Sequence, residues 1–279
     1  MTAPEAAGQG RLVAARPATR PAGTAQRGFG TTLRLDRWSL QPLAIALGLT
    51  AFVLYATISA VFLTPHFGFP YEAEGYRSPF YSIVIGEGVL PGWFSPAILV
   101  LWIQVFFRAT CYYFRGAYYK AFFADPPACA VGEPSFRRRY GMENRFPFIL
   151  QNLHRFTLYL AFIPLAVLWI DLALSFWHEG QPRIGLGLLL IAADAVLVSA
   201  YVFSCHSFRH LIGGGLDCYS CSASTRSRHS AWQRVSSLNA RHGLWAWLSL
   251  MSIIGVDLYV RLLASDVING STPILGGWL

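Results

Sequence analysis

The stretch IGLGLLLIAADAVLVSAYVFSC, residues 184–205, decides the fold class of this chain. Its 22 positions hold one charged residue, Asp194, and no proline. A helix crosses about 30 Å of hydrocarbon with roughly 20 apolar residues, because it rises about 1.5 Å per residue. The stretch therefore predicts a membrane-spanning α-helix.

The rest of the sequence repeats this pattern. Hydrophobic residues fill 54% of the 279 positions and charged residues 13%, against about 25% charged residues in a typical soluble domain. Mean hydropathy is +0.41. We predict an all-α integral membrane protein with five transmembrane helices in a single domain, residues 41–265. Besides Ile184–Cys205, the predicted spans lie near Leu43–Leu63, Trp93–Tyr113, Phe148–Leu168 with an extension to Trp177, and Gly243–Leu263.

The basic residues orient these helices. Six precede the first predicted span, six lie between the second and third, and five between the fourth and fifth, which makes 17 of the 22. Because basic loops stay on the cytoplasmic side, we predict a cytoplasmic N-terminus and an outer C-terminus. We expect residues 1–40 to form a partly disordered cytoplasmic tail and residues 266–279 to form a short outer tail. The net charge of +8 then reflects topology and lipid contact, which argues against nucleic-acid binding.

Cysteines and histidines recur at one membrane depth. Cys111 ends the second predicted span, His154 begins the third, Cys205 ends the fourth and His242 begins the fifth. Metal-binding groups in a membrane are costly unless they have partners. We therefore expect helices two to five to form a bundle around a buried redox centre held by these four residues. Three further residues near the same depth are alternative ligands: His206, His210 and Cys129.

The ligand types favour one cofactor over two others. Two cysteines and two histidines are the ligands of a Rieske-type [2Fe–2S] centre. A structural zinc ion would use the same atoms, although its ligands usually come from closely spaced loop motifs. A haem b would instead take two histidines, His154 with His242 or His206. The small cluster fits the bulky side chains near these positions better than a haem does.

Polar and aromatic residues lie one or two helical turns deeper on the faces that bear the predicted ligands. They combine aromatic walls with hydrogen-bonding groups, as a quinone pocket requires, and Asp194 near mid-bilayer is a candidate proton relay. The predicted quinone-binding residues are Gln104, Tyr201, Trp245 and Ser249. An alternative pocket at the membrane boundary would involve Arg108, Tyr112, Gln151 and Asn152.

Short motifs around these positions resemble one protein family. They are ATCYYFR (109–115), PPACA (126–130), QNLHRF (151–156), SCHSFRH (204–210), LNARH (238–242) and DLYV (257–260). Together they resemble the membrane anchor of actinobacterial succinate dehydrogenases, over roughly residues 40–265. The resemblance implies a multi-pass protein of the bacterial plasma membrane that is not catalytic alone.

The resemblance also implies partners and a substrate. Such anchors hold a flavoprotein and an iron–sulfur subunit on the cytoplasmic face and pass electrons to a membrane quinone; some bind haem b. Here the basic loops 124–147 and 211–241 would form the docking platform, and we expect Cys218 and Cys221 to be free thiols in a reducing cytoplasm. A membrane metal-binding or transport protein is the alternative class, but transporters typically carry internal repeats and this sequence shows none.

Overall fold

A computed structural model describes residues 37–81, 91, 94–124, 144–146, 148–178 and 180–268 of the chain. Four helices in this part are long and apolar enough to cross a membrane, and each overlaps a predicted span. The all-α membrane fold is thus confirmed. The helices in chain order are α1 (Leu40–Val61), α2 (Ala97–Thr110), α3 (Tyr112–Phe123), α4 (His154–Phe176), α5 (Leu186–Phe203), α6 (His206–Gly213), α7 (Ala223–Asn239) and α8 (His242–Ala264), of which α1, α4, α5 and α8 are the four.

The second predicted span is bent where the sequence predicts a straight helix. The axes of α2 and α3 meet at 76°, with Cys111 between them in an extended conformation. The Thr110 hydroxyl donates to the carbonyl oxygens of Phe106 and Phe107, and such back-bonding tends to bend helices. The 14 residues of α2 reach only about 21 Å, so α2 alone does not cross the membrane; together with α3 it forms either a broken span or a re-entrant loop.

The central bundle consists of α2, α4, α5 and α8. The most extensive packing is between α5 and α8, and α4 packs against both α2 and α5. The first helix lies outside this bundle and contacts mainly α3, as the sequence predicts for the helix without a ligand. Large apolar side chains on α1 remain exposed, ready for contact with lipid: Leu43, Leu47, Val53, Leu54 and Ile58.

The segment 211–241, which we expected to be a loop, contains helix α7. Ser222 caps α7 by accepting from the backbone N–H of Thr225, whose hydroxyl in turn accepts from the Ser222 N–H. This reciprocal capping starts a helix of 17 residues that packs on α6. We expected Cys218 and Cys221, which precede α7, to be free thiols. That expectation was wrong, because the two cysteines form a disulfide. Loop 124–147 lies mostly outside the described residues.

Two small hairpins cover the other end of the bundle, in line with the structured cap that the aromatic and proline-rich segment 65–92 suggests. One pairs β1 (Glu72–Ala73) with β2 (Tyr76–Arg77), and the other pairs β3 (Trp177–His178) with β4 (Gln181–Pro182). A salt bridge of 2.6 Å between Arg183 and Glu74 joins them.

A buried carboxylate fastens α1 and the first hairpin to α8 at this same end. Asp257 is completely buried and accepts hydrogen bonds from Tyr55 at 2.6 Å, Ser59 at 2.9 Å and Ser78. Arg261 pairs with the same carboxylate at 3.0 Å and also donates to α1 carbonyl oxygens. Since the charge is paired and both oxygens are bonded, this network is structural.

Candidate redox centre

Four residues from distant parts of the chain meet at the opposite end of the bundle. Cys111 and His154 are each 2% exposed, Cys205 is 1% exposed, and His242 is partly buried. The Cys111 Sγ lies 3.3 Å from the His242 Nε2. The Cys205 Sγ lies 3.0 Å from the His154 Nε2. The structure thus brings together the four predicted ligands.

Helix ends position these side chains. Cys111 separates α2 from α3, and Cys205 directly precedes α6; both have an extended backbone, with ψ of 132° and 141°. His154 and His242 are the first residues of α4 and α8. Because two helix breaks and two helix starts occur at one level of the bundle, one side chain from each reaches a common point.

The tautomer of His154 follows from its hydrogen bonds. The Thr110 Oγ1 lies 2.9 Å from the His154 Nδ1. The hydroxyl also lies within hydrogen-bond distance of two carbonyl oxygens one turn back, at 2.8 Å and 3.2 Å, which can only accept its single proton. We infer that the hydroxyl accepts from the ring, so that Nδ1 carries the hydrogen and Nε2 presents a lone pair. That lone pair faces the Cys205 thiol.

His242 is held in the same way. The Ser204 Oγ lies 2.8 Å from the His242 Nδ1 and donates its own proton to the Tyr201 carbonyl oxygen at 3.1 Å. Nδ1 of this ring is again the protonated nitrogen, and Nε2 faces the Cys111 thiol. Both imidazoles are thus neutral donors of a lone pair toward the same small region.

Sequence analysis did not identify Thr110 or Ser204. Each directly precedes a predicted cysteine ligand, and each supports the histidine that is paired with the other cysteine. Hydrogen-bonding partners of this kind fix the orientation and basicity of metal-binding histidines. The sequence feature that could have identified them is a repeated dipeptide, a hydroxyl residue followed by cysteine, at 110–111 and 204–205.

Aromatic rings cover the two imidazoles. Phe107 stacks on His154 at 4.8 Å, and Tyr201 stacks on His242 at 5.0 Å, with interplanar angles of 15° and 16°. Phe107 and Tyr201 also meet edge to face at 5.7 Å. These rings cover one face of each imidazole and pack against each other between the two histidines.

The donor set fits a small cluster better than its present arrangement fits a single ion. Among the described residues, no three His, Cys, Asp or Glu side chains form a ready metal-ion site. The reason is that each thiol lies within hydrogen-bond distance of one imidazole, so the four side chains form two cysteine–histidine pairs. Loss of the two thiol protons would free two thiolates and two Nε2 lone pairs, the ligand set of a Rieske-type centre.

The alternative ligands do not join this group. His206 and His210 are exposed on α6, and the nearest ring to His206 is Tyr112 at 6.3 Å. The third alternative, Cys129, lies outside the described residues. The haem pairing of His154 with His206 therefore has no support from burial.

Two of the four predicted quinone residues line a small cavity within the bundle. Gln104 and Tyr201 line this space of ≈ 40 Å³, together with Arg108 and Asp194. Ser249 is completely buried and accepts from Arg108 at 3.1 Å. Trp245 is partly buried and packs on the core beside the redox site. The cavity is far below the roughly 300 Å³ of the smallest typical ligand pockets.

A larger groove of ≈ 760 Å³ lies between α1 and α3. Its walls are aromatic and apolar with a few polar groups, including Trp38, Gln41, Tyr112, Tyr113, Gly116 and Lys120. Tyr113 links it to the four-residue site, because its ring meets His242 edge-on at 6.5 Å. Among the residues of the alternative pocket at the membrane boundary, Tyr112 lines this groove. Gln151 is instead buried, and its side chain is hydrogen-bonded to Tyr118 and Tyr119.

Comparisons with known proteins agree with this architecture. The sequence model of the family described as actinobacterial succinate dehydrogenase subunit SdhC matches residues 40–266. A chain in the solved structure "Mycobacterium smegmatis Sdh1 complex in the apo form" is similar, with 38% identity and a TM-score of 0.74. The match covers 85% of this chain and 92% of that one. No curated protein sequence matches the chain significantly.

Proposed function

The chain belongs to the family of actinobacterial succinate dehydrogenase subunit SdhC, and we propose that it anchors the soluble subunits of such a complex and delivers their electrons to a membrane quinone. As a membrane subunit it acts within an enzyme complex in the bacterial plasma membrane. The partners are a flavoprotein and an iron–sulfur subunit, a proposal supported by the similarity to a chain of the Mycobacterium smegmatis Sdh1 complex.

Electrons are proposed to pass through a Rieske-type [2Fe–2S] centre. Cys111 and Cys205 would hold one iron as thiolates, and His154 and His242 the other through Nε2. When bound, the cluster supplies a one-electron carrier whose imidazole ligands raise its potential above that of an all-cysteine cluster. One observation carries this proposal: two buried thiols face the lone pairs of two imidazoles whose tautomers are fixed by hydroxyls.

The chain's own residues prepare this site. Thr110 and Ser204 accept from the Nδ1–H groups and so hold both rings with Nε2 inward. Phe107 and Tyr201 keep water away from the imidazoles by stacking on them. With a cluster bound, Cys111 and Cys205 would be deprotonated thiolate ligands and the two Nε2 atoms would be neutral ligands, in place of the hydrogen bonds that now join them. A bis-histidine haem b remains the second candidate, because the family resemblance includes haem-bearing anchors.

The quinone is proposed to bind in the groove between α1 and α3. This groove lies within the usual size range of ligand sites, and Tyr113 places it one aromatic ring from His242. Gln41 and Lys120 supply hydrogen-bonding groups for the quinone oxygens. Gln104 and Tyr201, which the sequence suggested as quinone-binding residues, line the small cavity on the other side of the redox centre. A quinone would reach them only if that cavity opened.

Docking of the soluble subunits is proposed at the end of the bundle that carries the redox site. Helices α6 and α7 pack against each other at this end, in the segment of chain between Cys205 and His242. They include basic residues of the predicted docking platform. Arg228 is partly engaged, since it donates to the carbonyl oxygens of Ile212 and Gly214 at 3.0 Å. This arrangement requires the cytoplasmic N-terminus that the sequence predicts.

Serine substitutions separate the two cofactors. In the purified complex, Cys111→Ser and Cys205→Ser should abolish succinate:quinone reduction, because oxygen is a poor substitute for a thiolate on iron. Succinate oxidation with an artificial dye should persist, since it needs only the soluble subunits. The matched control is Cys218→Ser with Cys221→Ser, which changes two cysteines away from the site.

Each outcome assigns the centre. Quinone reduction that survives both ligand serine variants but is lost in His154→Ala with His242→Ala indicates haem b. Quinone reduction at the wild-type rate in all these variants removes the redox centre from the proposal. Loss of dye reduction as well would show that the variants have lost their partners, which the amount of copurified flavoprotein reports independently.

A further inference from the structure

Two charged residues are buried in the middle of the bundle and have no ion-pair partner among the described residues. Arg108 of α2 is 9% exposed and Asp194 of α5 is completely buried. The salt bridges of the described residues join Arg77 to Glu72, Arg183 to Glu74 and Arg261 to Asp257, and include neither of them. A buried charge without compensation costs several kcal/mol, so some partner must stabilise both.

The direct hydrogen bonds of this pair are incomplete. Arg108 donates to the Ala246 carbonyl oxygen at 3.3 Å and to the Ser249 hydroxyl at 3.1 Å, both neutral acceptors on α8. The Asp194 Oδ1 accepts from Ser252 at 2.5 Å. Its Oδ2 is buried and makes no hydrogen bond to the described residues.

Both side chains line the same small cavity. Its volume of ≈ 40 Å³ holds about two or three water molecules, since one needs roughly 10–15 Å³ in this measure. Gln104 and the Tyr201 hydroxyl supply further polar groups, and that hydroxyl also makes no hydrogen bond to the described residues. The cavity is therefore polar enough and large enough to be hydrated.

We propose that ordered water in this cavity bridges Asp194 to Arg108, and that Asp194 is the proton-exchanging group coupled to electron transfer through the neighbouring redox site. Arg108 is connected to the redox site by a short chain of contacts. Its guanidinium lies 4.5 Å from the centre of the Tyr201 ring, and that ring stacks on the proposed ligand His242 at 5.0 Å. This inference rests on the proposed function, since it assumes that electrons pass through the four-residue site.

The physical reason is charge compensation. An electron that enters the site adds negative charge inside a low-dielectric bundle, where Coulomb interactions are strong. Uptake of one proton by the Asp194 carboxylate through the cavity water offsets that charge. When the electron leaves for quinone, the carboxyl returns the proton to the cavity water. Two such cycles accompany the two electrons that succinate supplies, and each cycle takes up and releases one proton.

The other groups around Asp194 do not offer an equivalent proton site. From α2, Gln104 and Arg108 face the cavity, and from α5, Tyr201 does so. On α8, Ser249 and Ser252 are neutral hydroxyls. The side chains that α4 and the first hairpin segment contribute to the cavity wall are apolar: Ala161, Pro164, Leu165, Leu168 and Pro79.

A double-mutant cycle on the purified complex tests the bridged pair. Asp194→Asn alone and Arg108→Gln alone each leave one uncompensated charge, so each should lower the melting temperature. The double variant should lose less than the two single losses combined. Strictly additive losses would overturn the bridged pair. This readout needs neither electron transfer nor a bound cofactor.

Enzyme assays test the proton role. Asp194→Asn should slow quinone reduction by about tenfold or more, within the range for a lost proton-transfer group, and remove its pH dependence. Dye reduction should be unchanged, and Asp171→Asn, a buried acid of α4 outside this cavity, serves as control. Wild-type quinone reduction and pH profile in Asp194→Asn would overturn the role. If wild-type protein itself reduced no quinone, the proposed function would fail instead.

Discussion

Removal of the two supporting hydroxyls offers a test that leaves every proposed ligand in place. Thr110→Val and Ser204→Ala each delete the acceptor of one imidazole Nδ1–H. In wild type those bonds measure 2.9 Å to His154 and 2.8 Å to His242. Without its acceptor, each ring carries a buried, unsatisfied N–H and loses the contact that keeps Nε2 directed at the cluster.

The expected size of the effect follows from two independent estimates. An unsatisfied buried donor costs about 1–3 kcal/mol. Loss of a hydrogen-bonding partner behind a metal ligand typically reduces metal affinity about 10–100-fold, equivalent to roughly 1.4–2.7 kcal/mol. The estimates overlap, so we expect each variant to release iron from the centre at roughly 10–100-fold lower chelator concentration than wild type.

The assay is a chelator titration of the purified complex, followed by the spectrum of the cluster and by quinone reduction. Ser199→Ala is the matched control, because Ser199 lies on α5, which Ser204 caps, and accepts from a ring N–H, that of Trp169, at 3.0 Å. It should behave as wild type. Unchanged iron retention and quinone reduction in both Thr110→Val and Ser204→Ala would refute the assignment of these hydroxyls, and with it the fixed tautomers.

Two further predictions concern the quinone groove and the outer network. Gly116→Leu should raise the KM for quinone by roughly threefold or more, about 0.7 kcal/mol, because an added side chain at this open position would extend into the groove. Gly255→Leu, at an equally open and exposed glycine of α8, should not; equal effects would place the quinone elsewhere. Asp257→Asn should destabilise the fold by about 3–5 kcal/mol, because it leaves the buried Arg261 charge unpaired. Thermal melts should show this loss and none for exposed Asp266→Asn, and an unchanged melt for Asp257→Asn would contradict the structural role of the network.

Much of the site could be predicted from the sequence because membrane depth is readable. Span ends follow from hydropathy and helical rise, so Cys111, His154, Cys205 and His242 could be placed at one level without a structure. The same counting put helix one outside the bundle, as the packing shows. The depth of a residue, however, does not show toward which neighbouring helix its side chain points. That the four residues pair crosswise, each cysteine with one histidine, is a property of tertiary packing alone.

Other features left only a weak trace in the sequence. The bend at Cys111 is invisible to hydropathy, since the residues on both sides of it remain aromatic and apolar. Helix α7 was missed because its cap uses Ser222 with Thr225, where the common capping box has Glu or Gln at the third position. The disulfide between Cys218 and Cys221 ran against the expectation for a reducing compartment.

The most direct test of the central claim is the iron and acid-labile sulfide content of the purified complex, with and without the four proposed ligands. Compared with a variant carrying Cys111→Ser, Cys205→Ser, His154→Ala and His242→Ala, the wild-type complex should contain two more irons and two more sulfides, as a [2Fe–2S] cluster requires. Its reduced centre should show magnetic coupling to two imidazole nitrogens. Equal iron and sulfide in the two preparations, or reduced-haem absorption bands in the wild type that the variant lacks, would contradict the account.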